Sequence, residues 1–298
     1  MKRCHKCGNE IIPNFQSCPF CGAKYPDASK IFKSLLTFII IVLIIIGRTT
    51  NGFKDINANE IQKFTNGIEQ MFYKKDPQRA NQYYKEGRKK ALNNQSQEAI
   101  KDLNKAIKYN PDDARFYFMR GYAKQDYEKD HSCVEDYTRA IELNPKYHQA
   151  YFNRGTEYIN MEKYDLALID IDKAIELSPK RYDYYYQRGY VKYHLKMYQE
   201  CIEDFQISME SEKFKYDSYN YIGSADYELK NYKEAIKYYE EALKIKQDEY
   251  YVYFIALCYE KMENYDKAIR YYDKALEINP NYSSAQINKK ELLKKMGR

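Results

Sequence analysis

Five glycines, Gly87, Gly121, Gly155, Gly189 and Gly223, stand 34 residues apart, and a second series, Ala99, Cys133, Ala167, Cys201 and Ala235, keeps the same step. Pro111, Pro145 and Pro179 keep it as well. A fixed period of this length means one small unit stacked on copies of itself, each neighbour completing the core of the last. Every unit reads like YFNRGTEYINMEKYDLALIDIDKAIELSP (151–179): aromatic, glycine, tyrosine, small residue, aromatic or aliphatic, alanine, proline.

This pattern resembles the tetratricopeptide repeat, whose period and glycine–alanine–proline skeleton it matches. The resemblance implies an all-α solenoid of six helix-turn-helix repeats. In such a solenoid the small eighth and twentieth positions let two helices approach, an alanine near the twenty-seventh admits the next repeat, and proline ends the second helix. With glycine as the eighth position, the repeats are 80–113, 114–147, 148–181, 182–215, 216–248 and 249–282, about 200 of the 298 residues. The sixth has Ala256 in place of glycine, which predicts a slightly wider helix crossing. The fourth and fifth carry Lys213 and Gln247 where proline is expected, so those junctions are expected to run on. Residues 283–298 have the polar face of a solvating end helix. Residues 48–79 are read as a linker and an N-terminal capping helix, with Asp76-Pro77 restarting the helix before the first repeat.

The first 26 residues are a separate unit. Cys4, Cys7, Cys18 and Cys21 form two CxxC pairs, each followed by glycine (Gly8, Gly22). Four thiolates close a tetrahedron and leave no open position for a substrate, so the expected cofactor is one structural zinc. The segment resembles a short zinc ribbon. Metal also suits a piece of chain too short to bury a core of its own.

Residues 31–47 are the one strongly apolar run in a chain whose mean hydropathy is −0.83. As a helix these 17 residues reach about 25 Å, short of the roughly 30 Å of hydrocarbon unless Lys33 and Arg48 snorkel. A buried core element is the competing reading, but neither neighbour offers it a partner. The run starts 30 residues in and lacks a small-x-small cleavage site, which argues against a secretory signal. A single transmembrane helix is therefore expected. Lys24, Lys30 and Lys33 before it favour a cytoplasmic N-terminus, as do reduced zinc thiolates, with a bacterial cell membrane as the expected location.

Charge excludes one broad class. Residues 1–33 hold six basic and two acidic residues, net +4, and the remaining 265 are net +2, so the repeats carry no nucleic-acid-binding stripe. His5, His131, His148 and His194 keep no metal or triad spacing, and no phosphate-binding glycine loop is present, so no enzymatic activity is expected. Cys133 and Cys201 occupy the small twentieth position, and Cys258 has no assigned role.

The family places its binding groove on first-helix positions 2, 5, 9, 12 and 13. Here these hold ten aromatics, Tyr250 and nine that the resemblance implies as partner-binding residues: Tyr84, Phe118, Tyr122, Phe152, Tyr186, Tyr190, Tyr193, Tyr227 and Tyr253. One third aromatic is twice the 16% chain average, but 35 tyrosines also suit compositional drift, and both readings stay open. The family's carboxylate-tail clamp wants lysine at position 5 and asparagine at position 9 of one repeat, and no repeat here has both.

The expected function is a membrane-anchored protein-interaction scaffold that binds a protein or peptide. One alternative keeps the array in the cytoplasm; another makes the zinc ribbon a nucleic-acid or transcription-linked module, which 25 residues with one exposed aromatic support poorly. A last pattern lies inside the repeats. Position 7 is Arg120, Arg154 and Arg188 where position 23 is Asp136, Asp170 and Asp204; in repeats five and six the pair becomes Ile222 with Tyr238 and Ile255 with Tyr271. Pairing within a repeat or to the next repeat each leaves one mismatch.

Overall fold

A computed structural model describes residues 75–127 and 131–298, all within one compact unit, Lys74–Arg298. The zinc ribbon (1–26), the membrane span (31–47) and most of the capping segment (48–79) lie outside the described residues. Within them the chain forms thirteen helices and no strand. These are six consecutive pairs: α1 (Pro77–Leu92) with α2 (Ser96–Tyr109), α3 (Ala114–Tyr127) with α4 (Cys133–Leu143), α5 (His148–Asn160) with α6 (Tyr164–Leu177), α7 (Tyr182–His194) with α8 (Tyr198–Ser208), α9 (Glu212–Glu228) with α10 (Tyr232–Ile245), and α11 (Glu249–Lys261) with α12 (Tyr265–Ile278). A final helix, α13 (Ser283–Lys295), buries only Ala285 and Leu292 and closes the stack with a solvated outer face.

Asp76 caps α1, its Oδ1 accepting the Arg79 N–H at 2.9 Å, and Pro77 supplies the first turn. The helix thus begins three residues before the repeat boundary drawn from the glycine count.

Close helix crossing explains the glycine ladder. A Cβ on Gly223 would stand 2.8 Å from the ring of the fully buried Tyr239, so glycine lets α9 sit directly on that ring. Five of the six pairs then turn through a residue at position 15 in the left-handed region: Asn94, Glu162, Lys196, Lys230 and Glu263 have φ between 56° and 65°. The following N–H reaches back to the first helix, as from Asn231 to the carbonyl of Asp226 at 2.8 Å. Most of these turn residues are neither glycine nor asparagine, so the turn is held by packing against local preference.

Successive repeats join where position 27 meets position 3 of the next. Ala106 packs with Phe116, Ala140 with Ala150, Ala174 with Tyr184, Ala242 with Tyr251, and Ala275 with Ala285. Between repeats four and five the same place holds two buried serines, Ser208 and Ser218, whose hydroxyls bond at 2.8 Å. A polar junction survives in the core because both hydroxyls are satisfied, Ser208 also donating to the Phe205 carbonyl at 3.0 Å.

The two junctions without proline do not run on, contrary to expectation. Helix α8 stops at Ser208 and α9 starts early at Glu212, while α10 and α11 are parted at residues 246–248. At the second break Asp248 accepts the Tyr250 N–H at 3.0 Å, a side-chain cap that starts α11 afresh after α10 has ended at Ile245. Ala256, in place of the sixth glycine, is fully buried in one cluster with Ala268 and Tyr272.

Neighbouring first helices touch one another (α1 with α3, α3 with α5, α5 with α7, α7 with α9), which sets them on the inner side of the stack. Alongside runs an ionic ladder. Arg120, Arg154 and Arg188 each bind the aspartate sixteen residues on, at 2.5–2.9 Å, and each extends Nη1 to the residue sixteen back, Asn104, Thr138 and Asp172. The pairing is within the repeat. Repeat one, with Glu86 at position 7, holds Asp102 by Lys90 and Lys105 instead. In repeats five and six Tyr238 packs beside Ile222, and Tyr271 beside Ile255.

Candidate partner-binding surface

The groove aromatics do not form one continuous strip. In the first three repeats they pack along the seams between first helices. Tyr84 lies on Phe116 at 5.1 Å, Phe118 on Tyr147 at 4.8 Å and Phe152 on Tyr184 at 4.3 Å. These rings are half-buried and serve the stack as much as any ligand. Tyr122, one turn beyond Phe118, remains 41% exposed.

Repeats four and five differ. Tyr186, Tyr190 and Tyr193 from α7 converge on Tyr221 of α9, edge to face, with centroids at 6.3, 5.7 and 5.5 Å. Tyr221 itself stacks on the core ring of Phe205 at 4.9 Å, which anchors the cluster. It stands at position 6, which is not one of the family's groove positions. The signal was present: repeat five has Asn220 at position 5, where every other repeat has an aromatic, and its aromatic is displaced by one residue. Phe254 holds the same position 6 in repeat six and collects Tyr227 at 6.2 Å and Tyr250 at 4.5 Å. Tyr253 turns away toward the end helix, its hydroxyl accepting from Asn288 at 3.0 Å.

Burial pushes the phenols of Tyr186, Tyr193 and Tyr227 up to about 12, and that of Tyr221 higher. All stay neutral donors in the ordinary range of pH. Beyond burial, the Asp217 carboxylate adds to the rise at Tyr186 and Tyr221, and Glu228 to that at Tyr193. His194 lies flat on Tyr164 at 4.9 Å, and burial lowers its pKa, so it adds no charge.

The other described histidines are structural. His131 Nδ1 meets the buried carboxylate of Glu157 at 2.5 Å, and His148 bonds the Tyr184 hydroxyl at 2.8 Å. Cys133, Cys201 and Cys258 are buried free thiols, and Cys258 fills the junction with Tyr239 and Tyr251. Among the described residues no group of three or more His, Cys, Asp or Glu side chains could hold a metal, and no helix is long and apolar enough to cross a membrane. The cysteines at 4, 7, 18 and 21 and the run 31–47 are not among those residues.

Known proteins agree with this architecture. Models described as tetratricopeptide repeat match residues 114–147, 148–181, 216–248 and 253–282, and one described as TPR repeat matches 80–126. Repeat four, 182–215, falls outside these matches although α7 and α8 pair like the rest; its Ser208 and Lys213 replace the alanine and proline of the pattern. Among solved structures, YrrB, described as a TPR protein with an unusual peptide-binding site, is 24% identical with a TM-score of 0.58, over 63% of this chain and 97% of its own. PilF of Pseudomonas aeruginosa is 18% identical with a TM-score of 0.55, over 71% and 97%. MamA is 23% identical with a TM-score of 0.50, over 53% and 92%. At these identities the likeness concerns the fold. No curated protein matches the chain. Matched over more than half its length, the chain belongs to the tetratricopeptide repeat family.

Proposed function

We propose that this protein is a membrane-anchored interaction scaffold that takes a protein segment on the first-helix face of its repeats. In this reading residues 31–47 fix it to the bilayer with the N-terminus cytoplasmic. Cys4, Cys7, Cys18 and Cys21 hold one structural zinc, and no reaction is catalysed. The observation that carries the binding role is the tyrosine cluster of repeats four and five, which presents large amphipathic rings on the inner helices. The peptide-binding site named for the similar YrrB repeat protein agrees with it.

Two measurements test the reading. A photocrosslinking side chain at position 190 captures a partner in cells, whereas one at the outer, 65%-exposed Ile169 does not. Equal capture at both sites would refute the groove. The intact chain stays with the membrane pellet after an alkaline carbonate wash, and removal of residues 1–48 releases a soluble helical fragment. An intact chain that washes off would refute the anchor.

A further inference from the structure

We propose that the segment bound at repeats four and five is basic, and that a lysine or arginine side chain lies against Tyr190 and Tyr221 between Asp217 and Glu228. This rests on the scaffold reading above and adds the chemistry of the partner.

Asp217, Asn220, Tyr221, Ser224 and Glu228 recur at spacings of three and four on α9, so they share one stripe of that helix. Most acids near the first-helix face are already engaged. Asp113 binds Arg115, Asp183 binds Arg181, and Glu260 accepts the Tyr272 hydroxyl. Asp217 and Glu228 are exposed and make no ion pair or hydrogen bond among the described residues. The cations on α7 do not neutralise them: Arg188 and Lys192 are both committed to Asp204, at 2.6 and 2.8 Å. His194 is neutral, as burial lowers its pKa.

The acids therefore flank a surface of tyrosine rings whose faces carry negative quadrupole potential. Ring faces and two exposed carboxylates favour a cation that brings its own N–H donors, and disfavour an acidic segment. Repeats one, two and six differ, since Arg88, Arg115 and Lys261 stand in their groove positions. The preference belongs to repeats four and five.

The test uses the full-length protein, purified in detergent, against a random-peptide display library. Recovered peptides should be enriched in Lys and Arg, crosslink at position 190, and lose affinity as salt is raised. The double variant Asp217→Asn/Glu228→Gln should weaken a recovered peptide by about five- to tenfold. Both acids are exposed, so the fold should tolerate the change, and an unaltered melting curve checks this. Peptides that crosslink at 190 but lack basic residues, or that bind the double variant equally well, would overturn the charge preference and leave the groove standing. No crosslink at 190 would overturn both.

Discussion

The guanidinium of Arg154 grips the carboxylate of Asp170 with two bonds of 2.7 Å, Nε to one oxygen and Nη2 to the other, while Nη1 reaches Thr138 of the preceding repeat at 3.0 Å. One side chain thus ties both helices of its own repeat to the repeat before it. Asp170 is 3% exposed, so the pair is screened far less than a surface contact.

Arg154→Ala should therefore cost about 2–3 kcal/mol, above the ~0–1 kcal/mol of a surface pair, because it leaves a buried carboxylate without its cation. Denaturant titration measures the loss. A double-mutant cycle should give strong coupling between Arg154 and Asp170 and almost none between Arg154 and Asp136, which belongs to Arg120. Equal coupling to both aspartates would contradict the within-repeat ladder.

The left-handed turn residues offer a stabilising change. Lys230 has φ 65° and an exposed side chain, a conformation that disfavours any residue with a Cβ. Lys230→Gly should raise stability by up to about 1 kcal/mol, the relief of backbone strain exceeding the added entropy of the unfolded chain. A lower melting temperature would show that Lys230 contributes contacts of its own.

Asp226 should make stability depend on pH. Burial raises its pKa above the ordinary 3.8, and the bond from Asn231 only partly offsets this. With the folded value above the unfolded one, its contribution is most favourable below 3.8 and declines as pH rises through the folded value. Asp226→Asn removes the titration. Its stability relative to the unmutated protein should thus increase with pH across that window and then level off. Thermal melts between acid and neutral pH read this directly, and a difference independent of pH would count against it.

The seven cysteines should sort into two classes under alkylation. Burial pushes the thiols of Cys133, Cys201 and Cys258 up to about 12, so they should label only when the repeats unfold. Cys4, Cys7, Cys18 and Cys21 should be protected by about one zinc per chain and label promptly once a chelator removes it. Peptide mapping by mass spectrometry separates the classes. Prompt labelling of the four without chelator, in protein free of metal, would remove the zinc proposal.

The sequence by itself determined the repeat. Its 34-residue step in glycine and small residues, and the position-7 and position-23 series, can be read from the residues alone because every repeat solves the same local packing problem. Tertiary structure decided what periodicity leaves degenerate. Arg154 could have faced Asp170 or Asp136, and only the hairpin geometry of α5 against α6 chose Asp170. Helix α8 ends at Ser208 and α9 begins at Glu212, while Asp248 caps the start of α11, interruptions that no proline count reveals. Most decisive was the fate of the tyrosines. In each of the first four repeats the ring at position 5 packs at the junction with the next, Tyr84 on Phe116, Phe118 on Tyr147, Phe152 on Tyr184 and Tyr186 on Phe214. In repeat four Tyr190 and Tyr193 also meet Tyr221, which stands one helical turn from the unpaired Asp217. Exposure depends on which side chains meet across repeats, and that is a property of the stack.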